Sequence, residues 1–134
     1  MFRWSQKVLF KHCDPAGIVF YPRYFEMIND CVEVFFDQAL DWPFEDMHQT
    51  GGVPTARIET DFSAPSRHGD HLDFTLSLTR IGASSISTDL RVTCGDELRL
   101  QARSVLVYIN STGRPQPWPD AIRPRLQQYM KETT

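Results

Sequence analysis

The residues best suited to chemistry in this sequence lie between Phe10 and Pro22, in the run FKHCDPAGIVFYP. Asp14 is a carboxylate that can act as a general base or as a nucleophile at a carbonyl carbon. Tyr21 stands just before Pro22, a residue suited to the first turn of a helix. A backbone N–H at a helix start can stabilise negative charge developing on a carbonyl oxygen. The spacing therefore fits a reaction at a carbonyl group, whereas composition alone favours an ordinary Asp-Pro-Ala-Gly turn.

The same run resembles the active-site signature of the 4-hydroxybenzoyl-CoA thioesterase family of hot-dog fold proteins, in the version whose catalytic Asp precedes the central helix. The resemblance rests on Asp14, Pro15, Gly17, Val19, Tyr21 and Pro22 taken together. It implies that Asp14 is the catalytic carboxylate and that the backbone N–H of Tyr21 contacts the oxyanion. Gly17 then lets the loop approach the substrate closely or adopt a positive φ. His12 is a further candidate, able to orient Asp14 or to shuttle a proton.

The chain departs from the better-known member of that family at two places that contact the substrate. On the long helix, the position of an acidic residue that recognises a phenol is Asn29 here, which leaves the preference for a hydroxybenzoyl group open. At the turn between the third and fourth strands, a basic cluster for CoA phosphates is replaced by Arg80, Ser84 and Ser85. An ordinary hairpin with polar surface residues fits this turn equally well. These four residues and Tyr24 are the predicted substrate-binding residues.

Other reactive side chains fit less well. The negative charge of Asp14 disfavours the thiolate that a nucleophilic Cys13 requires. The run HGDH at 68–71 looks like a metal pair, but no third ligand follows at a metal-site spacing. An alternative is that Glu26 or Glu33 is the catalytic base, as in another hot-dog thioesterase lineage. Both fall on the polar side of the predicted helix, where a solvated Glu is the ordinary outcome.

Length and composition restrict the class of protein. A chain of 134 residues, with 41% hydrophobic and 23% charged residues, has the size and composition of one soluble globular domain. A net charge of −3 gives no basic surface for nucleic acid, so local cations would have to meet an anionic ligand. No apolar run approaches the roughly 20 residues of a membrane helix, and the N-terminus alternates like a strand, unlike a signal peptide.

Three cysteines without a CxxC spacing suggest neither a disulfide framework nor a zinc site. We therefore predict a single domain over residues 1–134, located in the cytoplasm, with neither nucleic acid nor membrane as a partner. The resemblance also implies that no metal or redox cofactor is needed, because water is the second substrate and CoA is part of the first.

A strand, a long helix and four further strands are predicted to position these residues. Alternation predicts a strand over 2–10, and helical spacing predicts a helix from Tyr21 to about Leu40, followed by a short helix over 41–50. Further strands are predicted over 53–64, 73–80, 85–93 and 97–109, and a last helix over about 120–131. Short hairpin-like connections predict a largely antiparallel sheet. The fold class is therefore α+β, and the resemblance makes it a hot-dog fold, with a five-stranded sheet around the long helix.

The resemblance implies an acyl-CoA thioesterase that hydrolyses a small acyl-CoA to the free acid and CoA, with a hydroxybenzoyl-like aromatic acyl group as one candidate. The resemblance implies a dimer with a continuous sheet, or a homotetramer built as a dimer of dimers, with the active site between protomers. A thioesterase for straight-chain acyl groups on CoA or acyl carrier protein stays open. A non-catalytic acyl-CoA-binding module also stays open, although binding alone does not need Asp14. A hot-dog dehydratase fits less well, because His12 beside Asp14 is a poor substitute for the His–Asp or His–Glu pair of those enzymes.

Overall fold

Alternating and helical patterns in the sequence become five strands and three α-helices in the computed structural model, which describes residues 1–132. The strands are β1 (Phe2–Lys7), β2 (Thr55–Phe62), β3 (His71–Ile81), β4 (Ser85–Cys94) and β5 (Glu97–Val107). The α-helices are α1 (Tyr21–Val34), α2 (Phe44–Met47) and α3 (Arg123–Gln127). The predicted domain extends to residue 134, and residues 133–134 lie outside the described residues.

The five strands form one sheet in the order β1-β3-β4-β5-β2, and every neighbouring pair is antiparallel. Short turns join β3 to β4 and β4 to β5, as the hairpin-like connections predict. At the second turn Gly95 has a φ of 58°, a conformation that glycine adopts readily. β1 and β2 are the two edge strands. β1 pairs with β3 only as far as Leu76, and past that point Met130 forms a bridge with Leu78 of β3.

The core lies between α1 and one face of the sheet. Alternation along the strands directs Phe74, Leu76 and Leu90 to this face, where each is at most 2% exposed. On the helix, buried side chains recur at helical spacing, from Tyr24 to Cys31. Each fully buried large apolar side chain contributes about 1.5–3 kcal/mol of transfer free energy. A long helix packed against an antiparallel sheet confirms the predicted α+β hot-dog fold.

The helical boundaries differ from the prediction for local reasons. The long helix ends in a π-helical turn at Phe35–Ala39, where Leu40 N–H donates to Phe35 O at 3.2 Å. The helix stops there because Asp41 has a positive φ of 49°. The predicted second helix shrinks to α2, and the last helix begins only at Arg123, after a turn that follows Pro119.

The first strand is shorter than predicted. It leaves the sheet after Lys7 and continues into a 3₁₀ turn at Phe10–His12. Val8 N–H donates to Asp70 O at 2.8 Å, so the chain bends toward the segment before β3. This bend brings the following Asp14 loop to the end of the sheet where β3 begins. No helix within residues 1–132 is long and apolar enough to span a membrane.

Candidate active site

The Asp14 loop is a small hairpin that closes on its own backbone. Asp14 N–H donates to Ile18 O at 2.9 Å, and Gly17 N–H donates to Asp14 O at 2.9 Å. Cys13 and Val19 form an antiparallel bridge at its base. Gly17 has a φ of 80°, and a Cβ there would meet nothing within 4 Å. Glycine is therefore favoured at position 17 by backbone conformation and not by lack of space.

The carboxylate of Asp14 is half-buried and held by this hairpin. Its Oδ1 accepts a hydrogen bond from Ala16 N–H at 2.9 Å, which makes an Asx turn. Among residues 1–132 the Asp14 side chain makes no other hydrogen bond, so Oδ2 is available to a water molecule or a substrate. Asp14 is therefore both the first residue of the turn that composition favours and the carboxylate that the proposed chemistry needs.

Tyr21 begins α1, and its backbone N–H has no hydrogen-bond partner in the part of the chain that the structure describes. The first N–H groups of a helix have no partner inside the helix. The preceding Phe20 N–H is already used, since it donates to His12 O at 3.0 Å, and the following Pro22 has no N–H. No side chain caps this helix end among the described residues. The arrangement leaves the Tyr21 amide able to stabilise a developing oxyanion.

An aromatic cluster surrounds this helix end. The Tyr21 ring, in a residue that is 58% exposed, meets Phe20 edge-on at a centroid distance of 5.6 Å and Phe62 at 6.4 Å. Phe62, at the end of β2, is 49% exposed and also contacts Phe25 at 6.4 Å. Phe62 is not among the site residues predicted from the sequence. The available signal was an aromatic residue at the end of a strand otherwise rich in polar side chains.

His12 is buried beneath the loop, and its side chain has a structural partner. Its Nδ1 accepts a hydrogen bond from Leu9 N–H at 2.9 Å. Burial, with the nearby positive charge of Lys11, lowers the pKa of His12, so the ring is neutral at neutral pH. His12 and Asp14 share no hydrogen bond within the described part of the chain. The predicted roles of His12 in orienting Asp14 or shuttling a proton stay predictions.

An apolar groove of about 750 Å³ lies between α1, α2 and the edge strand β2. Phe25, Val32 and Ile58 line it, and its polar groups include Asn29 and His48. The structure thus places the predicted substrate-binding Asn29 in a cavity large enough for a small acyl group. Asp14 is not among the described residues that line this groove. One subunit therefore does not bring Asn29 and Asp14 into the same cavity.

The profile of the thioesterase-like superfamily matches residues 8–126. The chain belongs to this superfamily. A curated relative, the 1,4-dihydroxy-2-naphthoyl-CoA hydrolase of Synechocystis sp., is 23% identical over 130 residues, which span 90% of this chain and 94% of the relative. The match confirms the predicted thioester-hydrolase class and the resemblance at the level of the superfamily.

Two solved structures have the same fold as this superfamily member. The 1,4-dihydroxy-2-naphthoyl-CoA thioesterase from Synechocystis superposes with a TM-score of 0.86 at 20% identity, over 94% of this chain and 95% of the other. A gentisyl-coenzyme A thioesterase superposes with a TM-score of 0.85 at 22% identity, over 93% of this chain and 99% of the other. These likenesses show that the hot-dog fold extends over nearly the whole chain.

In this superfamily member the predicted CoA-binding residues lie far from Asp14. Arg80, Ser84 and Ser85 stand at the hairpin between β3 and β4, whereas the Asp14 loop lies where β3 begins. β3 has 11 residues, which span about 35 Å at about 3.3 Å per residue. The backbone oxygen of Ser84 accepts a hydrogen bond from Tyr108 N–H at 2.7 Å. A single subunit thus separates these residues from Asp14.

Tyr24 is placed differently from its predicted role in binding substrate. Its side chain is in the core, with the residue only 4% exposed, and its hydroxyl donates to Ser66 Oγ at 2.8 Å. Burial raises the pKa of the Tyr24 hydroxyl, so it remains protonated. The hydroxyl is therefore committed to a buried partner, and substrate contact is corrected to a structural contact. The sequence could not reveal this, because Ser66 lies far along the chain.

Each of the remaining reactive side chains discussed above has a structural or a solvent-exposed environment. No three His, Cys, Asp or Glu side chains of residues 1–132 are placed to hold a metal ion. In the run at 68–71, Asp70 is engaged by Arg99 at 2.8 Å. Burial raises the pKa of the Cys31 thiol to about 12. Glu26 makes an exposed ion pair with Arg23 at 2.8 Å.

Proposed function

We propose that this superfamily member hydrolyses small aromatic acyl-CoA thioesters to the free acid and CoA, as 4-hydroxybenzoyl-CoA thioesterases do. The observation that carries the proposal is the junction of loop and helix, where residues 1–132 leave one Asp14 carboxylate oxygen and the Tyr21 N–H without a hydrogen-bond partner. A base or nucleophile and an oxyanion donor are the two groups that acyl transfer requires.

The proposed reaction begins with attack on the thioester carbonyl carbon while the Tyr21 N–H stabilises the oxygen. In one route Asp14 takes a proton from water, and the hydroxide oxygen bonds to the carbonyl carbon. In the other route the Asp14 carboxylate itself bonds to that carbon and forms a mixed anhydride, which water then hydrolyses. In both routes the C–S bond breaks and its electron pair leaves with the CoA sulfur. Water is the second substrate, so the proposal includes no metal or redox cofactor.

Two features support an aromatic acyl group. Phe20, Tyr21 and Phe62 expose aromatic rings beside the loop, and aromatic pairs are favourable beyond their buried area. The relatives named for naphthoyl-CoA and gentisyl-CoA have substrates with hydroxylated aromatic rings. In the apolar groove, Asn29 and His48 offer hydrogen bonds to such hydroxyl groups.

The proposed active enzyme is a dimer formed through β2, or a dimer of such dimers. Within residues 1–132, β2 pairs with β5 alone and leaves its other edge open, with Ile58 and Phe62 exposed. An open apolar edge is a template for pairing with another strand. When two β2 strands pair antiparallel, the start of one lies beside the end of the other. The partner's Ser84 then lies at the end of the sheet that carries Asp14.

A second candidate is a thioesterase for straight-chain acyl groups on CoA or acyl carrier protein. The observation that favours it is the β3–β4 hairpin, where Arg80 is the single cation among the predicted phosphate-binding residues. One guanidinium can pair with one phosphate group, which matches the single phosphate of a phosphopantetheine arm better than the several phosphates of CoA.

The test measures CoA thiol release from benzoyl, hydroxybenzoyl, gentisyl and straight-chain acyl-CoAs, with native protein beside Asp14→Asn. Asn at position 14 can still accept the Ala16 hydrogen bond, so the turn is kept while the charge is lost. We expect a loss of about a hundredfold or more in kcat for the preferred substrate. Asp96→Asn, in the exposed turn after β4, is the matched control and keeps native activity. Native-like hydrolysis by Asp14→Asn, or a native protein that cleaves no thioester, contradicts the proposal.

A further inference from the structure

The Asp14 hairpin is paired to the segment 66–70, which lies between β2 and β3. Val19 N–H donates to Ser66 O at 2.8 Å, and Ile18 forms an antiparallel bridge with Arg67. Ile18 O in turn accepts the N–H of Asp14. The segment 66–70 therefore holds Ile18 and Val19, and Ile18 in turn holds the backbone of Asp14 through a hydrogen bond.

Arg99 of β5 holds this segment. Its Nη1 lies 3.0 Å from Pro65 O, 3.1 Å from Ser66 Oγ and 2.8 Å from Asp70 Oδ2. The same Asp70 oxygen accepts Arg67 N–H at 2.9 Å, which closes the segment into a turn. The Arg99 side chain is 11% exposed, so these charge-assisted hydrogen bonds are largely shielded from water. Arg99 stands on an interior strand, between β4 and β2, which gives the segment a rigid support.

The helix that carries the Tyr21 amide is tied to the same place. Tyr24 donates from α1 to Ser66 Oγ at 2.8 Å, and Ser66 is 0% exposed. Ser66 thus receives hydrogen bonds from the helix through Tyr24, from β5 through Arg99 and from the loop through Val19. One buried serine joins the element that carries the carboxylate to the element that carries the oxyanion donor.

We propose that Arg99 is a positioning residue for the reaction, which acts through Ser66 and the segment 66–70 to fix the Asp14 carboxylate relative to the Tyr21 amide. This inference rests on the proposed function. Within residues 1–132, Arg99 makes no hydrogen bond to Asp14 or Tyr21, so its effect passes through the segment 66–70 and the Asp14 hairpin. A misplacement of about 1 Å can cost up to about a hundredfold in rate, which makes such a support worth keeping.

The first test compares Arg99→Met with Arg103→Met, an exposed arginine four residues further along β5. We expect kcat for Arg99→Met to fall about tenfold while KM changes less than about twofold, since positioning acts on the transition state. Arg103→Met is expected to keep native kcat. Tyr24→Phe and Ser66→Ala each remove one hydroxyl, and we expect smaller losses in the same direction. These two variants carry the test if Arg99→Met fails to fold.

The second test separates positioning from general destabilisation. In an Asp14→Asn background, Arg99→Met is expected to add little further loss in kcat, because the group that it positions is already disabled. The amide hydrogen of Val19 is expected to exchange faster in Arg99→Met than in native protein or Arg103→Met. An equal loss of kcat in both backgrounds, or an unchanged Val19 exchange rate, overturns the inference. If native protein cleaves no thioester, the proposed function fails, and the Val19 exchange rate still decides whether Arg99 holds the loop.

Discussion

The Asp14 hairpin and the edge strand β2 differ in how the rest of the chain supports them. The hairpin is closed by its own backbone hydrogen bonds, and the segment 66–70 pairs with Ile18 and Val19 of the hairpin. β2 pairs on one side with β5, and all of its residues but Thr60 are exposed. The predicted chemistry thus lies on a braced element, and the predicted binding surface lies on an open one.

This difference teaches which parts of the site a single subunit can complete. The Asp14 carboxylate and the Tyr21 amide are both in place within one chain. The groove that contains Asn29 opens along β2, and the predicted phosphate-binding hairpin lies at the opposite end of the sheet. We infer that the chemical groups are assembled by folding, whereas substrate binding depends on a second copy of the chain.

The largest expected effect comes from charging the open edge. Ile58→Glu puts a carboxylate on β2, where it opposes pairing with a second β2 strand. We expect a monomer by analytical ultracentrifugation and a loss of about a hundredfold in kcat/KM, because the completed binding surface is lost. The Asp14 hairpin is expected to keep its amide protection, since its support comes from the same subunit.

Val53→Glu is the matched control for this experiment. Val53 lines the same groove but precedes β2, so its charge enters the groove without touching the edge strand. We expect this variant to remain a dimer and to raise KM more than it lowers kcat. A monomeric Ile58→Glu protein with native activity would show that one subunit suffices and would break the comparison.

A smaller effect is expected from straining the hairpin itself. Gly17→Ala forces a φ of 80° on an alanine, at a cost of about 1–2 kcal/mol, and we expect a loss of about tenfold in kcat as Asp14 moves. Gly95→Ala imposes similar strain at a φ of 58° in the turn between β4 and β5. Both sites have space for a Cβ, so conformation alone is changed. Equal losses of kcat in the two variants would show that stability, not loop position, controls the rate.

Local patterns in the sequence predicted most of the fold. Periodicity identified the long helix and most of the strands, because burial of one face imposes a repeat that survives in a single sequence. The pattern over 53–64 is mixed, since the residues of β2 are exposed except Thr60. The signature around Asp14 predicted that the carboxylate and the Tyr21 amide lie on one loop–helix junction. Boundaries were less accurate at Lys7 and at Phe35, where a bend and a π-helical turn depend on distant contacts.

Long-range contacts could not be predicted in this way. Tyr24 was assigned to the substrate by its place on the helix, and its actual partner Ser66 lies 42 residues away. Arg99 and Asp70 are 29 residues apart, and the run at 68–71 that contains Asp70 gives no sign that Arg99 is its partner. Such pairs leave no periodic signal, because only the register of β5 and the turn before β3 bring them together.

The smallest expected effect is on the free energy of unfolding. It compares two carboxylates, the half-buried Asp70 and the buried Asp89. Hydrogen bonds from the Arg67 backbone and from Arg99 lower the pKa of Asp70. On the sheet face away from α1, burial tends to raise the pKa of Asp89, but hydrogen bonds from Gln101 and Lys131 outweigh it, so this pKa is lowered too. Each carboxylate therefore stabilises the fold above its ordinary pKa of 3.8, and the stabilisation is lost as the pH falls through the folded-state pKa.

Asp70→Asn and Asp89→Asn are each expected to lower the free energy of unfolding at neutral pH by about 1–3 kcal/mol, as measured by urea denaturation. The gap to native protein is expected to narrow as the pH falls below the ordinary carboxyl pKa of 3.8, because the native carboxylates then also lose their charge. Asp70→Asn alone is expected to lower kcat, because Asp70 fixes the segment that holds the Asp14 hairpin, whereas Asp89 faces the other side of the sheet. If the difference in unfolding free energy between native protein and a variant widened in acid, the proposed link between pKa and stability would be contradicted. An equal loss of kcat in Asp89→Asn would mean that kcat follows the overall stability of the fold and not the position of the Asp14 hairpin.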